Sequence, residues 1–250
     1  MNSRILVAIA LSLLLCLAAL AQAGEPVLVV GVESQYYRPY YWTDQDGFHS
    51  AAREILDAFA RSAGIRFQYQ PLPVRRLYEE YLDGEVDFKF PDNPQWKREL
   101  KKGRKIAYSL PLMNFIDGVM VRPERKGKGL AGLKVLGTVL GFTAWDYLDL
   151  VRQGRVRLVE NASLSGLLEQ VMMGRIDGAY VNPAVASYHL RHTLKKPGVL
   201  VFDPGLPHTR SSYLVSSFKH PRVIAGLNRF LTREKGLVQA IRERYGVPSD

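Results

Sequence analysis

Five aromatic side chains crowd into one short segment, at Tyr36, Tyr37, Tyr40, Tyr41 and Trp42. Flat aromatic faces close over the apolar or cationic parts of a small molecule while freezing few rotors. Farther along, Thr143 follows Gly141-Phe142 and stands three residues before Asp146, a capping-box pattern that opens a predicted helix. Free amides at a helix start attract anions, so a ligand carboxylate could dock there. Other chemistries find no support. His189 and His192 lie three apart on a predicted helix without a third ligand in register, so they read as two exposed histidines and no metal is expected. Lys126-Gly127-Lys128-Gly129 lacks the spacing of a phosphate loop, and neither G-x-S-x-G nor H-E-x-x-H occurs. The chemistry is that of binding: the chain is expected not to be an enzyme and to need no cofactor.

The elements that must position these residues come in two similar sets. Leu82-Asp83-Gly84-Glu85-Val86-Asp87-Phe88 and Met173-Gly174-Arg175-Ile176-Asp177-Gly178-Ala179 look like copies of one unit. Each follows a stretch (75–82 and 165–173) whose apolar residues share one helical face. Each stretch stops at a glycine, which adopts the left-handed closing conformation at least cost. An aspartate then leads into a strand-like run, and Asp87 and Asp177 are expected to fix the start of that strand. Strands at 27–32, 65–69 and 86–90 alternate with helices at 51–63, capped by Ser50 and stopped by Gly64, and at 75–82. The glycine-rich stretch 122–132 reads as a surface loop, after which the alternation restarts. Strands are expected at 135–139, 156–159, 176–181 and 199–202, with helices at 144–152, 165–173 and 183–194. A long helix over 221–245 has no strand after it and should pack back on the first set. The pattern predicts two α/β lobes with parallel sheets. Extended runs near 116–121 and 212–217 would cross between them and leave freedom mainly to open and close.

Residues 1–23 stand apart. Arg4, an apolar run over 5–20 and Ala21-Gln22-Ala23 make a cleavable secretory signal, which predicts export to a periplasm. Cleavage after Ala23 removes Cys16, the single cysteine, and leaves neither disulfide nor thiol nucleophile. About 227 residues remain, enough for two lobes of ordinary size. An apolar fraction of 47% and a charged fraction of 23% are those of a globular protein. The net charge of +10 is spread along the chain, with its densest run at 97–105, and no nucleic-acid motif accompanies it.

The order of landmarks resembles the family 3 extracellular solute-binding proteins, the amino-acid-binding components of ABC importers. The matching residues are Tyr37-Arg38-Pro39-Tyr40 with Asp46-Gly47-Phe48, Leu82-Asp83-Gly84-Glu85-Val86-Asp87, and Tyr108-Ser109-Leu110-Pro111. Positions 133–143, Gly174-Arg175-Ile176-Asp177 and Ser212-Tyr213-Leu214 through Tyr245-Gly246 complete the set. The resemblance implies a type II periplasmic binding protein fold, with lobe 1 formed by 24–118 plus 213–250 and lobe 2 by 119–212. It implies a monomer that takes a small-molecule ligand and meets an inner-membrane ABC permease, with no nucleic-acid partner.

The same resemblance assigns site residues. Tyr37 would stack on the ligand, with Trp42 beside it, and Thr143 would hold a carboxylate. The carboxylate-clamping arginine falls at Arg98 or Arg104, while Pro91-Asp92-Asn93-Pro94 replaces the family's small polar residues, so that Asp92 and Asn93 become candidates for ligand contact. The acid that usually holds an α-ammonium is Asn182 here, which lacks the charge and favours a ligand with a neutral or anionic group at that point. Two other classes share this frame. A periplasmic enzyme similar to cyclohexadienyl dehydratases would need an acid or base such as Glu33 in the cleft. A soluble sensor would present its bound state to a signalling partner.

Overall fold

A computed structural model of the protein describes residues 25–247, so the leader expected at 1–23 and its Cys16 lie outside the described residues. The first set of elements comprises β1 (Val27–Glu33), the hairpin β2 (Tyr41–Asp44) and β3 (Gly47–Ser50), α1 (Ala51–Ala63), β4 (Arg66–Leu72), α2 (Val74–Asp83) and β5 (Phe88–Asp92). A short α3 (Arg98–Lys101) and β6 (Ala107–Tyr108) lead into the long β7 (Met113–Val121). The second set comprises β8 (Val135–Val139), α4 (Leu148–Arg152), β9 (Arg157–Asn161), α5 (Leu164–Met172), β10 (Gly178–Val181), α6 (Pro183–His192) and β11 (Val201–Phe202). The long β12 (Thr209–Ser217), then α7 (Pro221–Arg233) and α8 (Lys235–Arg244), complete the chain.

The strand order is β4-β1-β5-β12-β7-β10-β8-β9. Both ends are parallel, as alternating strands and helices require. The middle is antiparallel: Thr209–Tyr213 of β12 pairs with Asp117–Met113 of β7. Beyond that overlap the two part company. The far half of β12 joins β5, and the far half of β7 joins β10. Each long strand thus starts in one lobe and ends in the other.

The repeated phrases do the same work in both lobes. The Asp87 amide donates to the Val29 carbonyl (2.9 Å), and its Oδ2 accepts from the Val29 amide (2.8 Å). Asp177 makes the same pair of bonds with Val135, at 2.9 and 2.8 Å. Helix packing repeats as well. A Cβ on Gly31 would stand 2.5 Å from Leu77 Cδ1, and one on Gly137 would stand 2.4 Å from Leu167 Cδ1. A glycine in the first strand of each lobe is therefore the hole into which a helix leucine inserts. Gly84 and Gly174, at φ +80 and +70, close the two helices in the left-handed region, as expected.

Some expectations need correction. Residues 144–152 form a 3₁₀ turn (Trp145–Tyr147) and one short turn of α-helix, because Asp146 is drawn away from any cap by Tyr180 and Thr209. The helix expected over 221–245 breaks at Glu234, whose φ/ψ of −99/35 lies outside the helical region. The break lets both halves follow α1: Phe230 meets Phe59 edge-on at 5.8 Å, and Tyr245 and Arg244 bond Glu54 at 2.7 and 2.6 Å. His189 is buried against Ser165 (2.7 Å), so only His192 of that pair is exposed. Among the described residues, no helix is long and apolar enough to cross a membrane.

Candidate functional site

In an open parallel sheet, ligands lie at the carboxyl ends of the strands, where the loops diverge. Here the carboxyl ends of β1, β8 and β10 face one another across the antiparallel pair, and a cavity lies between them. Lobe 1 lines it with Glu33, Tyr37, Tyr41, Val74, Tyr78 and Trp96. Lobe 2 supplies Gly141-Phe142-Thr143, Tyr180 and Val181, and the two crossing strands supply Asp117 and Tyr213. The lobes touch over it. The Tyr37 and Phe142 rings meet edge-on at 5.8 Å, and a Cβ on Gly141 would lie 3.3 Å from Val74. Gly141 takes φ +88, which turns the loop toward α2.

The wall is an aromatic stack. Tyr37 lies on Tyr41 at 5.0 Å, and Tyr41 meets Tyr213 edge-on at 6.3 Å. Tyr213 in turn meets Trp96 edge-on at 5.9 Å and stacks on Phe115 at 4.3 Å. Burial raises the hydroxyls of Tyr37, Tyr41, Tyr78, Tyr180 and Tyr213 above the usual phenol range, so all stay neutral hydrogen-bonding groups.

Two carboxyls break the aromatic surface. Glu33 ends β1, is 3% exposed and accepts from the Tyr41 hydroxyl at 2.5 Å. Burial raises its pKa, and the positive Lys89 opposes that shift. Asp117 sits mid-way along β7. Burial, then the charges of Asp146 and Glu33, push it up to about 7, and its Oδ1 is buried without a hydrogen-bond partner. Asp146 stands behind Tyr180, accepting from that hydroxyl at 2.9 Å and from Thr209 Oγ1. Among the described residues, no lysine, arginine or histidine lines the cavity. Lys89 lies behind Tyr78, with its Nζ held by the Pro91 carbonyl (2.5 Å) and 4.2 Å from the centre of the Tyr78 ring.

Of the residues singled out by sequence, Tyr37 and Thr143 line the cavity. The others do not. Trp42 stacks on His49 at 5.1 Å, with the Arg38 guanidinium 3.8 Å from its ring centre. Asp92 is fully buried and accepts from Lys101 Nζ (2.6 Å), Ser216 Oγ (2.6 Å) and the Asn93 amide (2.8 Å). Asn93 ties the loop after β5 to β12 through Ser211 Oγ (2.9 Å) and the Ser212 carbonyl (3.1 Å). Arg98 is exposed on α3, and Arg104 lies over Phe218 at 5.4 Å. Neither lines the cavity; both border a separate surface cleft with Pro94, Lys101 and Tyr108. Asn182 caps α6, its Oδ1 accepting from Ala184 (2.9 Å) and Val185 (3.2 Å). Thr143 caps nothing, and the short turn after it offers no extended row of free amides for an anion. The ionisable carboxyls of the lining are Glu33 and Asp117.

Tyr78, Trp96, Asp117, Phe142, Tyr180 and Tyr213 line the site without having been singled out in the sequence, and Glu33, named there only as an acid or base for the enzyme alternative, lines it as well. One signal was there to read. Glu33 and Asp117 are lone acids at the end and in the middle of otherwise apolar, strand-like runs, where an ionisable group needs a reason.

No family model matches the sequence, and no curated protein matches it. Solved structures do match in shape. An ancestral arginine-binding protein bound to arginine superposes at TM-score 0.69 with 19% identity, over 89% of this chain and 99% of that one. The fold is that of the type II periplasmic solute-binding proteins. Two further structures carry it in other settings. A histidine kinase sensor domain with similarity to periplasmic binding proteins matches at 0.73 and 20% identity, over 92% of this chain and 100% of its own. An ancestral amino-acid-binding protein, a precursor of cyclohexadienyl dehydratase, matches at 0.66 and 19%, over 92% and 99%. The binding-protein fold thus serves capture, sensing and a line leading to catalysis.

Proposed function

We propose that this chain is an exported solute-binding protein that captures a small polar molecule by closing its lobes and delivers it to an inner-membrane ABC permease. One observation carries the reading: a cavity walled by both lobes and by the two crossing strands, with Tyr37 and Phe142 in contact across its mouth. Division at 118/119 and 212/213 makes those strands the hinge, so that a ligand touching both walls favours the closed state by its differential affinity. Tyr37 and Thr143, singled out in the sequence, line that cavity, which supports both as ligand contacts.

The test is thermal unfolding of ligand-stripped protein against a metabolite library, followed by small-angle scattering with any hit. A ligand that binds only the folded state raises the melting temperature. Closure should reduce the radius of gyration, and Tyr37→Ala should weaken binding roughly 10- to 100-fold, the effect of removing a well-packed aromatic anchor. A library without a single hit would end this reading.

A catalytic reading draws on Glu33 and Asp117, whose raised pKa values are those of proton-transfer groups. Turnover of prephenate or arogenate, abolished by Glu33→Gln, would establish it in place of transport. A sensing role, supported by the histidine kinase sensor domain that shares this fold, would use the same closure with a different output.

A further inference from the structure

The cavity's charge chemistry separates it from an amino-acid receptor. An α-amino acid brings a carboxylate and an ammonium, and a site for it must satisfy both. The lining of this cavity holds two carboxyls, Glu33 and Asp117, and no basic side chain. Arg98 and Arg104 face solvent, and Lys89 is committed to Pro91 and Asp92, 3.8 Å from the latter. Asp117 Oδ1 is a buried acceptor awaiting a donor. The aromatic faces of Tyr37, Trp96 and Tyr213 add the negative quadrupole that attracts organic cations.

We propose, on the reading of this chain as a binding protein, that the cleft selects small organic cations that carry no carboxylate, an aliphatic amine or guanidine. Its N–H groups reach Asp117 Oδ1 and Glu33, and its methylenes lie against the Tyr37 and Trp96 rings. A carboxylate on the same molecule would be desolvated beside Glu33 and Asp117 with no cation to receive it.

Matched pairs differing by one carboxylate test this: putrescine against ornithine and agmatine against arginine, titrated calorimetrically into ligand-stripped protein, with succinate as an anionic control. The decarboxylated member of each pair should bind roughly 10- to 100-fold tighter, the effect of one unpaired buried charge. Asp117→Asn and Glu33→Gln should each weaken agmatine, with the thermal unfolding of the free variants checked so that loss of fold is not mistaken for loss of site. Equal or tighter binding of ornithine, arginine or succinate, or agmatine binding untouched by both substitutions, would overturn the proposal. So would a library hit of another class with no amine binding. In those cases the capture function stands and only the ligand class falls; silence from the whole library brings down both.

Discussion

The two lobes are built alike and equipped differently. Asp87 and Asp177 tie the same pair of strands with the same two bonds, and Leu77 and Leu167 fill the same kind of glycine hole. Five residues after each aspartate the likeness ends. Lobe 1 has Asp92, buried at the centre of an ionic group with Lys89 and Lys101; lobe 2 has Asn182, a helix cap. Lobe 1 also brings Glu33 and most of the aromatic wall, while lobe 2 brings a loop, Tyr180 and Val181. The difference teaches that the scaffold repeats because packing demands it, whereas the ends of the strands, free of that demand, diverge into one equipped wall and one closing wall.

That comparison can be broken first at position 92. Asp92→Ala leaves Lys89 and Lys101 buried without a counter-charge, which should cost about 3–5 kcal/mol in urea unfolding. The lobe 2 counterpart, Asn182→Ala, removes only a cap, about 1 kcal/mol. Equal losses would erase the distinction between the two positions. The likeness itself is tested by Leu77→Ala and Leu167→Ala, each expected to cost about 2–5 kcal/mol because both are fully buried. A cost confined to one lobe would mean that the packing repeat is formal rather than energetic.

The remaining effect concerns pH. Asp117 faces Glu33 on β1, Asp146 beyond β8, and the neutral hydroxyls of Tyr37, Tyr180 and Tyr213, with no cation among them. Its folded pKa of about 7 lies above the ordinary 3.8, so the folded state keeps a proton that the unfolded state has lost. Stability should therefore fall as pH rises from about 4 to 7 and level off above. Asp117→Asn should flatten that slope, by on the order of 10 °C in melting temperature between about pH 4 and 7. An unchanged slope would show that Asp117 ionises normally.

Much of the frame was legible. The apolar spacing of 75–82, its glycine stop and the following aspartate announced an element that the structure repeats with small shifts of boundary. Ser50 caps α1 as its type and position foretold, accepting from the Ala52 amide at 3.1 Å. The site was far less legible. Tyr37 and Thr143 line the cavity; Arg98, placed by its distance from Asp87, does not, and Asp92 and Asn93, named because they stand where the family has small polar residues, are spent on bonds within lobe 1 and to β12. Asp146 was read as one half of a local cap but serves Tyr180 and Thr209, partners 34 and 63 residues away.

Local pattern announced most helices and strands, because periodicity, caps and glycine stops act over a few residues. It also determined that the frame occurs twice. Only the tertiary structure decided the sign of the cavity. Glu33, Asp117 and Asp146 are separated along the chain by 84 and 29 positions, and nothing in their neighbours fixes that they converge. Their meeting depends on where β1 and the two crossing strands bring the lobes together. Burial and neighbouring charge then give Glu33 and Asp117 properties that neither has alone.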